Sequence, residues 1–435
     1  MDHFHYINGQ LFAENVPVSK IAHDVGTPAY IYSKATLLTH YRRIADAFAA
    51  LKPTICYSVK SLPNVNLLKL LVAQGSGMDV TSGGELFRAL KAGCSPDKIF
   101  FAGVGKTDHE IREALAHNIR AFNVESEEEF WNLDRIAGEL GKTAHAALRV
   151  NPGLQNRSTH TKTFTARKED KFGINIDRAA NFYRQASKER GGAKNVRLHG
   201  LHLHLGSPIK FTEPYAEGIA KALALIDELA KDGIKIETLD TGGGFAAFYE
   251  GNEAPAFSDY AATIVPLLKD RVDKGLQIIM EPGRSIACNA GILLAQVQYT
   301  KAAGEKKYVI IDAAMNDLIR PTLYESYHFI WPANPGPAMV PPNRTSTLRV
   351  NGGKGDEKVD IVGPICESGD YLAKDRYIPP AKRGDLLAIF SAGAYGMSMS
   401  SNYNSRPRAA EVLVDNDTFT LIRKRESYED LLHGE

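Results

Sequence analysis

The chain has 435 residues, of which 44% are hydrophobic and 24% are charged, and this balance is typical of a soluble globular protein. Its formal net charge of +1 gives no electrostatic reason to expect nucleic acid as a partner. We find no apolar run long enough to span a membrane and no signal-peptide pattern at the start, so we expect no membrane partner. Four scattered cysteines without metal-ligand or disulfide spacing favour reduced thiols and a cytoplasmic location.

Short apolar strands alternate with amphipathic helical patterns from about residue 36 to residue 285. The predicted strands are 54–59, 77–80, 99–102, 121–124, 144–150, 198–205, 234–240 and 277–281. Helical patterns lie between them, for example at 126–140 and 214–231. Eight successive strand–helix units favour an α/β fold with a closed (β/α)8 TIM barrel over 36–285. A doubly wound open sheet is the competing interpretation.

After residue 286 the sequence changes to short strand-like runs separated by Gly and Pro loops. These runs are 308–312, 359–362, 386–390, 411–414 and 419–422, and the Pro-rich segment 331–345 is predicted to be an irregular connector. They predict a mainly antiparallel β domain over 286–435, to which strand-like pieces from 1–35 would be joined. Two domains also agree with the chain length, which exceeds that of one ordinary core.

Lys60 closes the first predicted barrel strand, in the run Thr54-Ile-Cys-Tyr-Ser-Val-Lys60. Strand alternation places Cys56, Ser58 and Lys60 on one face. Because a buried ammonium is costly and loses basicity through desolvation, a lysine there fits a Schiff-base role. A lysine just past the strand end that reaches water is the structural alternative.

Polar residues gather at the predicted carboxyl ends of the strands, where the active site of a closed barrel lies. In chain order these ends carry Lys60, Asp79, Gly103, Asn123 with Glu125, Arg149 with Asn151, His202 with His204, and the segments 242–244 and 281–284. Gly242, Gly243 and Gly244 can turn backbone N–H groups toward an anion, and Gly283 adds a second backbone wall. The loops after strands seven and eight are the usual phosphate site of this fold, so together with Lys60 they favour pyridoxal phosphate.

Glu281 and the two histidines each allow two interpretations. Glu281 could be a structural ion-pair partner, or it could keep a pyridine nitrogen protonated. His202 and His204 have a spacing that also suits a metal in a barrel hydrolase, but no other histidine falls at a strand end. We therefore expect no metal, and a ring-stacking or packing role for His204.

The order of the motifs resembles that of the diaminopimelate decarboxylase family, pyridoxal-phosphate enzymes of the alanine-racemase-like barrel class. The motifs run nearly from end to end and are Tyr57-Ser-Val-Lys60, His204-Leu-Gly-Ser207, Gly242-Gly-Gly244, Glu281-Pro-Gly-Arg284, Arg320-Pro-Thr-Leu-Tyr324, Cys366-Glu-Ser-Gly-Asp370, Gly393-Ala-Tyr-Gly396 and Ser398-Met-Ser-Ser-Asn-Tyr-Asn-Ser-Arg-Pro407. Ornithine and arginine decarboxylases share single motifs, whereas the ordered set is specific. Two departures are Pro208, where the family usually has Gln, and the segment 158–168, which lacks the usual glycine-containing loop.

The resemblance implies a role for each matched residue. Lys60 would hold the cofactor, Asp79 would contact it, His204 would stack on its ring and Glu281 would pair with its nitrogen. The phosphate would be bound by Ser207, Gly243, Gly244, Gly283, Arg284 and Tyr395, and the substrate by Arg284, Arg320, Tyr324, Glu367 and Tyr395. Cys366 would be the catalytic acid, and with Glu367 it would enter the site from the second subunit of a homodimer.

The implied reaction is the decarboxylation of meso-2,6-diaminopimelate to L-lysine, the last step of lysine biosynthesis, by a carboxy-lyase. Because the far end of this substrate is itself an amino acid, a site with two arginines and Glu367 suits it. Three alternatives stay open: a sister decarboxylase for a basic amino acid or a carboxylated polyamine, an amino-acid racemase, and a non-catalytic homologue. The last would typically lack Lys60 or Cys366. A metal-dependent hydrolase is a more distant fourth.

Overall fold

The computed structural model describes residues 3–154, 163, 165–187, 192–249, 254–337, 352 and 355–435. The chain divides into two compact units, one of residues 41–246 and 255–285 and the other of residues 1–40, 247–254 and 286–435. None of the described helices combines the length and the apolar composition that crossing a bilayer requires.

The first unit is a closed barrel of eight parallel strands, here numbered 1 to 8 in chain order. They are Thr54–Ser58, Gly77–Val80, Ile99–Phe101, Ala121–Val124, Ala144–Asn151, Val196–His202, Thr238–Asp240 and Gln277–Met280. Each strand pairs with the next, and strand 8 pairs with strand 1 through Ile279 and Thr54. A short strand, Ile174–Asn175, adds to strand 5. The predicted barrel is therefore confirmed over the open sheet.

Helices follow the strands as the sequence periodicity predicted. In the barrel unit they are Val65–Ala73, Gly83–Lys91, Asp108–Ala116, Glu127–Glu139, Ile176–Ala186, Glu213–Lys231 and Phe257–Asp273, with 3-10 turns at Ala49–Leu51, Val59–Ser61 and Pro96–Lys98. Ser126 shows why one helix begins where it does, since its side chain accepts the N–H of Glu129 and satisfies a donor that the first turn leaves open. Phe130 and Leu133 of that helix are buried.

The barrel interior changes from apolar to polar between successive inward positions. Cys56, Phe100, Ala121 and Ile279, from strands 1, 3, 4 and 8, form a buried apolar cluster. Side chains two residues apart share a face of a strand. The next inward positions on three of these strands are therefore Ser58, Asn123 and the residue after strand 8, Glu281, all buried. This alternation sets a polar layer directly above an apolar one at the carboxyl ends of the strands.

The second unit is a nine-stranded, mainly antiparallel sheet with a small three-stranded sheet. The large sheet contains Ala29–Ser33, Gly291–Ala303, Lys306–Ile311, Ile330–Pro332, Glu357–Val362, Tyr371–Ile378, Leu386–Ile389, Ala410–Asp415 and Thr418–Arg423, and the small one Phe4–Ile7, Gln10–Ala13 and Val16–Pro17. Gly291–Ala303 pairs antiparallel with Ala29–Ser33, Leu386–Ile389 and Lys306–Ile311. The predicted antiparallel β architecture is confirmed.

Two of these strands were not predicted, and the predicted connector begins with a strand. Gly291–Ala303 is buried along its first half, so it lacks the alternation that marks a half-exposed strand. Tyr371–Ile378 was also missed. Ile330–Pro332 is a strand at the start of the predicted connector 331–345, of which residues 338–345 lie outside the described residues. The remaining helices and turns are Val18–Val25, Lys34–Ala47, Arg284–Ala287, Cys288–Ala290, Arg320–Tyr324, Met397–Met399, Tyr403–Ser405 and Tyr428–Leu431.

Two histidines on adjacent strands make the barrel wall sensitive to acid. Nδ1 of His145, on strand 5, lies 3.1 Å from Nε2 of His199, on strand 6. Burial, followed by the field of His145, lowers the pKa of His199 to about 4, with Glu237 opposing and Arg197 adding to the shift. Because the folded state disfavours the charged form, the unfolded chain binds the proton more tightly. The contribution of the neutral His199 to the stability of the fold is therefore complete above the ordinary pKa of 6.5, and it is lost as the pH falls toward about 4.

We expect His199→Gln to make folding less sensitive to acid, because glutamine cannot take up the proton that opposes the folded state. Between about pH 7 and pH 4.5, the free energy of unfolding of the unaltered chain should fall by about 1–3 kcal/mol more than that of the variant. Denaturant titrations at each pH measure this difference. The exposed His117, changed to Gln, is the control. Identical pH dependence of the unaltered chain and His199→Gln would contradict the assignment.

Candidate active site

Lys60 lies just past barrel strand 1, in the 3-10 turn Val59–Ser61, and not on the strand as the sequence analysis placed it. The strand ends at Ser58 because Ser61 Oγ donates to the Ser58 carbonyl at 2.8 Å and tightens the chain into a turn. The Lys60 side chain is 32% exposed. Its ammonium donates to Asp79 Oδ2 at 2.6 Å. The amine is thus held at the barrel mouth while one side remains accessible.

Asp79 is the fixed partner of this amine. It lies within strand 2 and is fully buried. It also accepts a hydrogen bond from the Ser58 hydroxyl at 2.7 Å. Burial and the nearby Glu281 raise the pKa of the Asp79 carboxyl, whereas Lys60 lowers it. A buried carboxyl in this position depends on the lysine for its charge, so the two groups form a coupled pair.

Glu281 follows strand 8 and is an ionised carboxylate in a buried place. Its Oε1 accepts from Asn123 Nδ2 at 3.1 Å, and its Oε2 lies 3.3 Å from His202 Nε2. Burial alone would raise the pKa of this carboxyl, but His202, Lys60 and His204 hold it well below its usual range. A buried, ionised carboxylate is suited to a cationic group of a ligand.

His204 presents a neutral ring at the same mouth. Burial, together with the cationic Arg149 and Lys60, lowers its pKa well below the ordinary value. Its Nδ1 lies 3.4 Å from the Gly243 nitrogen, which donates to it, and 3.8 Å from Glu281 Oε2. An uncharged imidazole loses little by covering an aromatic ring, and this agrees with the stacking role that the sequence analysis gave it.

The loops after strands 7 and 8 admit only glycine at three positions. A Cβ on Gly243 would lie 2.1 Å from the Glu281 carbonyl oxygen, and one on Gly283 would lie 2.8 Å from the Ser58 Cβ. Gly244 has φ +95°, and its Cβ would lie 2.3 Å from the Gly206 carbonyl oxygen. The backbone at these three glycines therefore lies so close to neighbouring atoms that it leaves no space for a Cβ.

A hydroxyl and a guanidinium accompany these glycines. Arg284 Nε donates to Ser207 Oγ at 2.9 Å, which joins the loop after strand 8 to the loop after strand 6. Backbone N–H groups, a hydroxyl and an arginine are the donors that a phosphate accepts from. With the Lys60 amine and the Glu281 carboxylate, this donor set fits the phosphate, the aldehyde and the ring nitrogen of pyridoxal phosphate.

The two departures from the family pattern lie beside this donor set. The peptide bond before Pro208 is cis, and the Ser207 hydroxyl keeps its contact with Arg284. Residues 158–162 and 164 of the segment 158–168 lie outside the described residues. Of the rest, the Thr163 carbonyl accepts the Ser207 N–H at 3.2 Å, and Thr165 Oγ1 donates to the His204 carbonyl at 2.9 Å. The described part of the segment thus supports the loop that carries His204 and Ser207.

In the second unit, Arg320 is a buried cation between aromatic rings. It begins the short helix Arg320–Tyr324, and its guanidinium carbon lies 5.2 Å from the Tyr249 ring centre and 5.8 Å from that of Tyr324. Nη2 donates to Ser326 Oγ at 3.1 Å. Stacking on these rings orients the guanidinium without neutralising it, which leaves its charge for an anion.

Cys366 and Glu367 lie together on a braced loop of the same unit. The buried Asp370 accepts the N–H groups of Ile365 and Met315 at 2.8 and 2.7 Å. The Cys366 N–H donates to Asn404 Oδ1 at 2.9 Å. The Cys366 side chain is exposed, whereas the other three cysteines are buried. The loop is therefore fixed in its backbone and accessible at its thiol.

Two further predicted residues also lie in this unit. Glu367 accepts a hydrogen bond from the Tyr403 hydroxyl, and this bond raises the pKa of Tyr403. Tyr395 is half-buried and has φ +56°, in the Gly-containing loop that the sequence analysis singled out. The structure thus brings nine of the predicted site residues together at the barrel mouth and five in the second unit. The nine are Lys60, Asp79, His204, Ser207, Gly243, Gly244, Glu281, Gly283 and Arg284, and the five are Arg320, Tyr324, Cys366, Glu367 and Tyr395.

Several residues complete these groups without a role predicted from the sequence. Asn123 was placed at a strand end but given no role, and Asp240 ends strand 7, a position that could have marked it as a site residue. Asn404 had no such signal, because its partner Cys366 is 38 residues away along the chain. His202, Asp240 and Glu281 also place possible metal-ligand atoms within 4.8 Å of one another. A metal there would occupy the Glu281 carboxylate, which would then be unavailable to a ring nitrogen, so the two uses exclude each other.

We expect Gly244→Ala to weaken binding of pyridoxal phosphate at least tenfold, because the added Cβ would meet the Gly206 carbonyl and displace the phosphate loop. Gly275→Ala is the matched control. Gly275 has φ +102°, but no atom lies within 4 Å of its Cβ position. That variant should lose about 1–2 kcal/mol of stability with unchanged affinity for the cofactor. Equal affinities of the two variants, measured by titrating apoprotein, would show that these glycines do not form the phosphate site.

Comparisons with known proteins identify the family of this chain. The model of the pyridoxal binding domain of pyridoxal-dependent decarboxylases matches residues 34–288. Diaminopimelate decarboxylase of Vibrio cholerae is 44% identical over 432 residues, which cover 99% of this chain and 98% of that protein. The Aquifex aeolicus enzyme of the same name is 45% identical over 427 residues, covering 98% and 95%. The crystal structure of diaminopimelate decarboxylase from Helicobacter pylori with L-lysine is 36% identical, covers 96% of this chain and 98% of that chain, and has a TM-score of 0.86.

These likenesses extend over both units, and the matched family model covers the whole barrel. They confirm the predicted cofactor, pyridoxal 5'-phosphate, and the predicted class of enzyme, a carboxy-lyase. The chain therefore belongs to the diaminopimelate decarboxylase family.

Proposed function

We propose that this chain decarboxylates meso-2,6-diaminopimelate to L-lysine, the last step of lysine biosynthesis, with pyridoxal phosphate held by Lys60. One observation carries the proposal: an accessible amine and a buried, ionised carboxylate, Glu281, share one barrel mouth with a loop that only glycine can form. Bound pyridoxal phosphate supplies the electron sink that accepts the electron pair left when carbon dioxide departs.

The residues of the barrel have separate tasks in this proposal. Asp79 holds the Lys60 amine in place until it is needed. Glu281 keeps a proton on the pyridine nitrogen, because its negative charge is buried and an adjacent cation is strongly favoured. His204 covers a face of the ring and excludes water from it. Ser207, Gly243, Gly244, Gly283 and Arg284, with Tyr395, bind the phosphate.

Charges of both signs select the substrate. Its distal carboxylate is bound by Arg284 and Arg320, for which the guanidinium fork allows two parallel hydrogen bonds. Glu367 binds the distal amine, and Tyr324 and Tyr395 complete the contacts. An ornithine-type substrate has a distal amine and no distal carboxylate, so it would leave the buried Arg320 without its anion. After carbon dioxide leaves, the Cys366 thiol delivers a proton to Cα.

We also propose a cytoplasmic homodimer in which Cys366 and Glu367 of each subunit complete the site of the other. The accessible thiol on a braced loop supports a role toward a partner surface. A two-fold axis would give two such sites by the same contact. The four free cysteines support a reducing compartment.

Carbon dioxide release from a panel of amino acids tests the substrate. We expect meso-diaminopimelate to be decarboxylated far better than ornithine, arginine or lysine. Arg320→Ala should lower kcat/KM for meso-diaminopimelate by about 2–5 kcal/mol of transition-state binding, since a buried charge pair is broken. Arg320→Lys keeps the charge but lacks the fork, so it should recover only part of the loss. Equal or better turnover of ornithine would assign the chain to a sister decarboxylase.

Subunit exchange tests the shared site. Homodimers of Lys60→Ala and of Cys366→Ala should each be nearly inactive, because one lacks the amine and the other the acid. In a mixture with proven exchange, mixed dimers should contain one intact site, and activity should rise well above that of either parent.

Two measurements control this experiment. Borohydride should fix pyridoxal phosphate covalently to Cys366→Ala but not to Lys60→Ala, which shows that each variant lacks only its own function. Mixing two samples of Lys60→Ala should give no recovery. If complete exchange of the two variants restores no activity, Cys366 serves its own subunit and the decarboxylase assignment is unaffected.

A further inference from the structure

Asp240 is a buried carboxyl, one oxygen of which lies within 4.8 Å of a Glu281 carboxylate oxygen. It ends barrel strand 7, and 1% of its surface is exposed. The amide nitrogen of Asn123 lies 3.1 Å from Glu281 Oε1 and 3.5 Å from Asp240 Oδ2, so one side chain bridges the two carboxyls. The Gly242 N–H donates to Asp240 Oδ1 at 2.8 Å. Asp240 therefore joins the phosphate loop on one side to Glu281 on the other.

Two carboxyls buried at this separation do not both ionise, because each charge raises the cost of the other in a medium of low dielectric constant. The neighbouring groups decide which one keeps the proton, since they favour the charged form of Glu281 and disfavour that of Asp240. His202 contacts Glu281 at 3.3 Å, and Lys60 is paired with Asp79. The negative charge therefore lies on Glu281, and Asp240 carries the proton.

The acidic groups around Asp240 favour the same distribution of charge. Burial, Glu281 and Asp79 raise the pKa of the Asp240 carboxyl well above its usual range, and the Gly242 N–H opposes them. Cys56, on strand 1, is buried and neutral, because burial and then Asp240 raise the pKa of its thiol. Burial and the neighbouring carboxylates thus outweigh the groups that favour a charge on Asp240.

We propose that Asp240 is a positioning residue that acts through Glu281: as a neutral acid it donates a hydrogen bond to the Glu281 carboxylate and fixes the orientation of that carboxylate toward the cofactor nitrogen. The bond also leaves Glu281 charged, since the shared proton stays with Asp240. This inference rests on the role proposed above for Glu281. Asp240 itself touches neither substrate nor cofactor in this account.

Two substitutions test whether Asp240 acts as a neutral hydrogen-bond donor, as a charged group or only by filling space. Asp240→Asn keeps a donor toward Glu281 and an acceptor for the Gly242 N–H, whereas Asp240→Leu removes both. The affinity for pyridoxal phosphate is measured by titrating apoprotein with the cofactor alone. The affinity of Asp240→Asn should lie within about threefold of that of the unaltered chain, and that of Asp240→Leu should be at least tenfold weaker. Thr238→Val, two residues earlier on strand 7, is the control for a buried polar-to-apolar change and should leave the affinity unchanged.

The absorbance of the bound cofactor reports the proton on its ring nitrogen. In Asp240→Leu the absorbance change with pH should occur at lower pH than in the unaltered chain, because a misoriented Glu281 stabilises the protonated nitrogen less. Asp240→Asn should titrate as the unaltered chain does. If the absorbance change shifted to the same lower pH in Asp240→Asn and Asp240→Leu, the carboxyl itself would be required, and the proposal would be overturned.

A third readout needs no cofactor and guards against a variant that folds poorly. If Asp240 is neutral in the folded apoprotein and ionised after unfolding, unfolding releases a proton, and stability falls as the pH rises. The melting temperature of the unaltered apoprotein should then fall relative to that of Asp240→Asn between about pH 5 and pH 8. A constant difference would show that Asp240 is ionised in the fold and would refute the proposal. None of these measurements uses diaminopimelate, so failure of the proposed reaction would be seen separately.

Discussion

The pairing of strand 8 with strand 1 is the contact on which the barrel site depends. Ile279 and Met280 pair with Thr54 and Ile55, and this closes the sheet between segments more than 200 residues apart. Just beyond the pairing, the Ser58 N–H donates to the Pro282 carbonyl at 3.3 Å, and the Ser58 hydroxyl oxygen lies 3.0 Å from the Glu281 carbonyl oxygen. An open sheet would leave these strands at opposite edges. Closure of the barrel therefore places the turn that carries the Lys60 amine beside the loop that carries the Glu281 carboxylate.

Charge balance is the second constraint on this neighbourhood. Asp79, Asp240 and Glu281 are all buried at the strand ends, and together they exceed the positive charge that Lys60 alone provides there. The excess is reduced by sharing of protons and by amide and imidazole donors, from Asn123 and His202. What remains is a negative charge at Glu281, which suits a cationic ring nitrogen. The electrostatics of the mouth thus favour a cationic group next to Glu281.

Much of this arrangement was predictable from the sequence, since alternation and strand spacing are local signals. They located eight barrel strands, and the strand ends then gave Lys60, Glu281 and the glycines of the phosphate loop. The turn at Lys60 was not predictable, because it depends on a hydroxyl contact between Ser58 and Ser61. The strand Gly291–Ala303 was missed because it is buried on both faces along its first half. Contacts between distant residues, such as Cys366 with Asn404, leave no periodic trace.

The crowding at Gly243, Gly244 and Gly283 has an evolutionary consequence. Any side chain at these positions would collide with backbone or with the first turn of the barrel, so the phosphate loop cannot be altered one residue at a time. A change of substrate must therefore come from elsewhere in the chain. The residues that we assign to the far end of the substrate lie largely in the second unit, and none of them is a glycine whose Cβ position is occupied. The glycine loops of the cofactor site thus cannot vary, whereas the residues assigned to the substrate can. New specificities would arise among the latter while the cofactor site is inherited unchanged.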